Sequence, residues 1–302
     1  MTASKSMRSS SESAERARPV LLLALLCALG ALVFPFSSLM VDAGSSAGGN
    51  SAKIISGAPR LLSTSAITTV IYLPMLGKSP PLCPLPGASY GTVAVLSAPV
   101  SPHAEINPDI NLAMRGYTPT VAYKGLIDLV GGPPSDPSAP QLYRLFADER
   151  VPVFGNVFQV YDWDWTCNCR AAPITTYEVT LAGFAVSPGE PVCAPGSGYD
   201  IGWAPTGFSM MVLYASPTRI TLKYTREDSV VDGYTIHIEN VNVDPDLLSL
   251  YQSMNSAGRA RLPALFAGQP IGTAISTELG AVIRDTGSFM DPRSHGDWWH
   301  GK

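Results

Sequence analysis

The chain has 302 residues, enough for one sizeable domain or two small ones. Charged residues make up only 15% of it, the formal net charge is −4, and no Lys/Arg run occurs beyond the N-terminus, which leaves a nucleic-acid partner without electrostatic support. Gly and Pro, at 27 each, favour many short strands joined by tight turns over long helices.

Lys5, Arg8, Arg16 and Arg18 lie in a basic tail, residues 1–18, ahead of the apolar run VLLLALLCALGALV from Val20 to Val33, which FPFSSLMV extends. A positive flank before an apolar core predicts an export element over residues 19–43, formed as an N-terminal apolar helix. Val41-Asp42-Ala43 offers a small-residue cleavage site, while the length from Val20 to Val41 approaches the ~20 residues that span a bilayer, so a cleaved signal peptide and a retained membrane anchor both stand. Either way the remainder is expected outside the cytoplasm, secreted or held at the cytoplasmic membrane.

Residues 44–86 open with GSSAGGNSAK and read as a flexible tether, with the apolar stretch Ile67–Leu76 interrupted by Pro74. Residues 87–156, which include GGPPSDPSAP, read as a Pro-rich extension of short strands and loops that packs on the main domain, with a helical turn or two in SAPQLYRLFADE. Cys27 falls in the export element, leaving Cys83, Cys167, Cys169 and Cys193 for disulfides in an oxidising compartment. Cys167-Asn168-Cys169 has no second pair to complete a four-cysteine zinc site. A bond within that short pair is strained, so Cys83 or Cys193 is the expected partner of either.

Residues 157–302 carry the clearest strand signals. NVFQVYDWDWTC alternates, with Val157, Gln159, Tyr161, Trp163 and Trp165 on one face and Asp162 and Asp164 on the other. MMVLYASPTRITLKYT predicts a hairpin turning at Ser216-Pro217-Thr218, with Ile220, Leu222 and Tyr224 facing one way and Thr221, Lys223 and Thr225 the other. GYTIHIENV repeats the pattern and puts His237 and Glu239 on one face. The period then changes: Asp244-Pro245 is an N-cap and first-turn proline, Leu247, Leu248, Leu250, Tyr251 and Met254 recur at helical spacing, and Gly258 is a stop, so one α-helix is expected at about 244–257. LPALFAGQPIGTA and ISTELGAVIRDTGSFMDPR supply further strands. The fold class is therefore mainly β, an antiparallel sheet domain with hairpins and one helix.

Three segments in order resemble lysostaphin-type zinc metallopeptidases, bacterial enzymes that cut peptidoglycan cross-bridges. SPGEPVCAPGSGYDIG (Ser187–Gly202) is similar to their PxGTPVYAPxxG, LFAGQPIGTA (Leu265–Ala274) to their VKxGQxIGxxG, and ELGAVIRDTGSFMDP (Glu278–Pro292) to their HLHFEIRxxGxPVDP. The resemblance spans roughly Val179 to Pro292 and implies a compact antiparallel domain with duplicated hairpins, in which the helix at 244–257 is an insertion. It also implies a site made of a His and an Asp on an early strand and a later His-x-His, three of which hold zinc while the remaining His serves near the activated water. Those positions fall on Val179, Gly183, Glu278 and Gly280, so the metal constellation is lost and no catalytic residue, metal or cofactor is expected. No His or Asp lies between Trp165 and Tyr199 to replace the early pair.

The four histidines are His103, His237, His295 and His300, and His237 shares a strand face with Glu239, an i, i+2 arrangement that can bind metal. Tyr161, Trp163 and Trp165 form either a flat stripe that stacks on sugar rings or a packed core. Trp298 and Trp299 are expected to dock back onto the domain. Together these features predict an exported, envelope-associated bacterial protein whose peptidase-like β domain is non-catalytic and serves binding or scaffolding, through Tyr161, Trp163, Trp165, His237, Glu239 and Glu278. Its expected partners are cell-wall glycan or peptide, or envelope proteins. The alternatives are a zinc-dependent peptidoglycan hydrolase with relocated ligands and a structural or adhesion surface protein.

Overall fold

Alternating apolar and polar residues set the strands, and the computed structural model describes them over Cys83 and residues 89–129, 135–202 and 207–302. The expected export element and basic tail lie outside the described residues, as does the tether apart from Cys83. Among the described residues the structure is mainly antiparallel β, with three α-helices.

Two strands and a helical turn come from the Pro-rich extension: β1 (Gly91–Ala94), α1 (Leu112–Arg115) and β2 (Tyr117–Pro119). In SAPQLYRLFADE the helical element is a single 3-10 segment, Leu142–Leu145. Then follow β3 (Phe154–Asp164), β4 (Cys169–Pro173), β5 (Leu181–Ala185) and β6 (Pro191–Cys193). The predicted hairpin is β7 (Met210–Ser216) and β8 (Arg219–Lys223), with Ser216 opposite Arg219 across the turn. Next come β9 (Tyr234–Glu239), β10 (Val241–Val243), α2 (Pro245–Ser256), β11 (Arg261–Leu265) and β12 (Pro270–Ala274). The chain closes with β13 (Glu278–Asp285), β14 (Ser288–Phe289) and α3 (His295–Trp298).

The main sheet runs β1-β11-β7-β8-β9-β13-β5-β3-β2, with β14 added to β13 and β4 to β3, while β10-β12-β6 form a smaller sheet. The extension thus contributes β1 beside β11 and β2 beside β3. One face of the central strands is apolar: Ile220, Leu222, Ile236, Ile238, Phe184, Leu279, Ala281 and Ile283 build the large core. The other face carries polar rows in exact cross-strand register. Arg219 pairs with Glu239, Glu239 with Gly280 and Gly280 with Gly183; the next row is Thr221, His237 and Val282; the third is Lys223, Thr235 and Arg284.

This second face is also covered. Thr221 Oγ1 donates to the Ile110 carbonyl at 2.7 Å, Arg284 reaches Asp109, and Leu112 of α1 packs with Val160, Leu181, Val282 and Phe289. A sheet buried on both faces needs partners for its polar groups, and the covering segment supplies several of them.

Helix α2 begins at Asp244, whose carboxylate accepts from the amides of Asp246 and Leu247 at 2.9 and 3.3 Å. Leu247 and Tyr251 are its buried positions, and Gly258 takes up a φ of +91° just past its end. Behind it Arg259 and Asp228 form a buried two-pronged ion pair at 2.6 and 2.7 Å. The C-terminal tryptophans dock as expected. Trp299 packs edge-on to Phe184 and donates its indole N–H to the Pro292 carbonyl at 2.9 Å, and Trp298 donates to Asp291.

Two sequence expectations fail. The disulfide joins Cys167 to Cys169, with Cα atoms 5.3 Å apart, and Cys83 and Cys193 are buried thiols. Asn168 between them adopts a φ of +51°, which reverses the chain and brings the two sulfurs together. The alternation along β3 is interrupted as well, because register shifts occur at Phe154/Val157 and at Tyr161/Trp163. Bulges of this kind turn the following side chains. Phe154, Val157, Val160 and Trp163 are therefore the buried positions, and Tyr161, Trp163 and Trp165 do not share one face as a stripe.

Candidate functional site

Gly183 on β5 and Gly280 on β13 are direct Cα partners, and Glu278 lies two residues along the same strand from Gly280. Three of the four positions that match the resembled family's site, which uses three residues for zinc and one His near the activated water, are therefore gathered in one patch. Val179, the fourth, is fully buried and belongs to the large core.

The glycines make room in this patch. A Cβ on Gly183 would come within 2.6 Å of Glu278 Oε1, and one on Gly155 of β3 would collide with the same carboxylate. Glu278 thus lies across β5 and β3. Its Oε2 accepts from the Asn156 amide N–H at 2.7 Å and from the Asn156 side chain at 3.1 Å.

On the far side of Gly280 stands Glu239, 4% exposed. Burial pushes its carboxyl up to about 7, and the Arg219 charge only partly opposes the shift. Arg219 Nε is 3.4 Å from Glu239 Oε2, close enough for attraction, yet that nitrogen makes no hydrogen bond. Burial raises the phenol of Tyr117, and the Glu239 charge adds to the shift. Tyr117 stacks edge-on to Phe158 at 5.0 Å.

His237 sits in the next row. Thr221 Oγ1 gives its proton to the Ile110 carbonyl, so the 3.0 Å contact between Thr221 Oγ1 and His237 Nδ1 requires Nδ1 to be the donor. Nε2 is then the bare nitrogen, and it has no hydrogen-bond partner. Burial, followed by the charges of Arg284 and Arg115, holds this imidazole well below its ordinary value and keeps it neutral. Its cross-strand neighbours are Thr221 and Val282, neither of them a metal ligand. Among the described residues no group of three or more His, Cys, Asp or Glu side chains gathers in a way that could hold a metal ion.

The aromatic candidates separate. Trp163 is buried, with its indole N–H donating to Asn168 Oδ1 at 3.3 Å; Tyr161 is half-buried; Trp165, in the turn after β3, is 51% exposed. Sequence reasoning missed Tyr117, Asn156 and Arg219. Their roles depend on which strand lies next to which, and the period-two pattern of a single strand carries no signal for that. No family model, curated protein or solved structure matches the chain.

Proposed function

We propose that the chain is an exported, non-catalytic β module of the lysostaphin-type peptidase design that serves binding or scaffolding at a bacterial cell envelope. The observation that carries this reading is the opposition of Gly183 and Gly280, with Glu278 folded over Gly183. Positions that match the family's site residues come together here, which supports the shared design, and their side chains are two hydrogens and one carboxylate already hydrogen-bonded to Asn156. The segments carrying the other resemblances adjoin in the same sense, since β6 of PVCAP pairs with β12 of GQPIGTA. Export rests on the basic and apolar N-terminal sequence alone.

The hydrolase alternative has one observation in its favour, the bare Nε2 of His237. Sedimentation of the purified chain with insoluble peptidoglycan, alongside zinc analysis and a cross-bridge cleavage assay, tests both readings. Retention without cleavage is the expected result. Stoichiometric zinc that disappears in His237→Ala, with cleavage, would replace the binding module by the hydrolase.

A further inference from the structure

A groove of about 710 Å³ opens beside the β3–β4 hairpin tip, away from the glycine patch. Its lining includes the exposed indole of Trp165, Tyr177 and the 61% exposed Val231. The indole matters here for its place on a groove, since singly exposed apolar side chains are ordinary on protein surfaces. This one is also held in place. The Cys167–Cys169 disulfide closes its turn, and Asp164 Oδ1 accepts from the Thr166 amide at 2.7 Å. Arg170 ties the hairpin to the carbonyls of Met114 and Ala113 at 2.8 and 2.9 Å. Docking a ring on Trp165 therefore orders little else in the protein, which removes one of the main costs of binding.

The floor selects the ligand. Arg115 donates to the Pro108 and Tyr161 carbonyls and to Asp109 and Asp162, while Arg284 donates to the Gly287 carbonyl and to Asp109. Their N–H groups are turned onto protein acceptors and away from an incoming anion. Three carboxylates line the groove, Asp109, Asp162 and Asp285, against these two guanidiniums, so the local balance is negative. The Asp162 side chain is 64% exposed and has acceptor capacity to spare. A flat apolar platform beside free acceptors suits a pyranose, which offers a C–H face for stacking and a dense set of hydroxyl donors. A peptide main chain, by contrast, alternates donors with acceptors and offers the indole no flat C–H face of ring size.

We propose that this groove is a binding site for a neutral glycan, stacked on Trp165 and hydrogen-bonded through its hydroxyls to Asp162. The proposal rests on the binding reading above and names its ligand class. Titration of the full chain in mild detergent with an N-acetylglucosamine tetramer, oligogalacturonate and a tetra-alanine peptide tests it by calorimetry. Binding of the tetramer alone is expected, with Kd weakened about tenfold or more in Trp165→Ala and less in Asp162→Asn. Unchanged affinity in Trp165→Ala, absence of tetramer binding, or preference for the peptide or the anionic sugar overturns it. Sedimentation with whole peptidoglycan separates the two failures: retention without tetramer binding removes the glycan groove and leaves the binding module, and loss of both removes both.

Discussion

Gly183 and Gly280 face each other as Cα partners across β5 and β13, and the carboxylate of Glu278 occupies the space a side chain on Gly183 would fill. The side chains absent from Gly183 and from Gly155 on β3 thus determine where a charged one rests. The patch acts as a hydrogen-bonded strut between β13 and β3, through Asn156, and a substitution in it should be felt by both strands.

Gly183→Ala drives a methyl group into Glu278 and displaces it from Asn156, at a cost of about 1–3 kcal/mol. Adding Glu278→Ala removes the collision, so the double variant should lose less than the sum of the single losses. Urea denaturation of the four proteins completes the cycle, and strict additivity would show that the two residues do not compete for space.

Glu239 links stability to pH. Its folded value of about 7 lies above the ordinary 4.5, so the folded state holds the proton more tightly than the unfolded chain. Stability from this group is complete below the unfolded value and is lost as pH rises through the folded one, amounting to on the order of 3 kcal/mol. Glu239→Gln should flatten that dependence and be the more stable protein above about pH 7. Urea midpoints measured across this window decide it; parallel curves for the two proteins would contradict the assignment.

Asp228 and Arg259 are both almost completely buried and grip each other through two contacts, and Arg259 also donates to the Leu213 carbonyl at 2.8 Å. Asp228→Ala leaves the guanidinium uncompensated and should destabilise the fold by about 3–5 kcal/mol. Thermal unfolding reads this directly. A loss comparable to that of an exposed ion pair would mean that water reaches Arg259.

The two faces of tryptophan chemistry predict opposite outcomes. Trp299→Ala opens a cavity between Phe154 and Phe184 and should cost about 3–5 kcal/mol. Trp165→Ala, at an exposed turn, should stay within about 0.5 kcal/mol of the parent protein. Equal losses in denaturation would place both indoles in the core.

Local signals located much of the framework. The β7–β8 hairpin turns where Ser216-Pro217-Thr218 marks it, because proline and the flanking alternation act over a few residues. Helix α2 starts at Asp244 for a similarly local reason: its carboxylate meets amides only two and three positions away. The candidate site was legible as positions and illegible as geometry. Gly183, Glu278 and Gly280 can be picked out along the chain, whereas the reach of Glu278 to Asn156 spans 122 residues. Along β3 even the local reading misled, since an extra residue opposite a neighbouring strand is a property of the pair and not of either sequence.

By itself, then, the amino-acid order determined the antiparallel β character, the single long helix among the described residues and the inward turn of the closing tryptophans, all consequences of periodicity, capping and hydrophobicity acting on short stretches. Only the tertiary structure decided that the second face of the sheet is roofed by residues 109–112, that Cys167 bonds to its near neighbour, and that Trp163 is buried while Trp165 is exposed. Each of these depends on which distant strand or loop arrives opposite a given residue. That is set by the packing of the whole sheet, for which no short window of sequence carries the information.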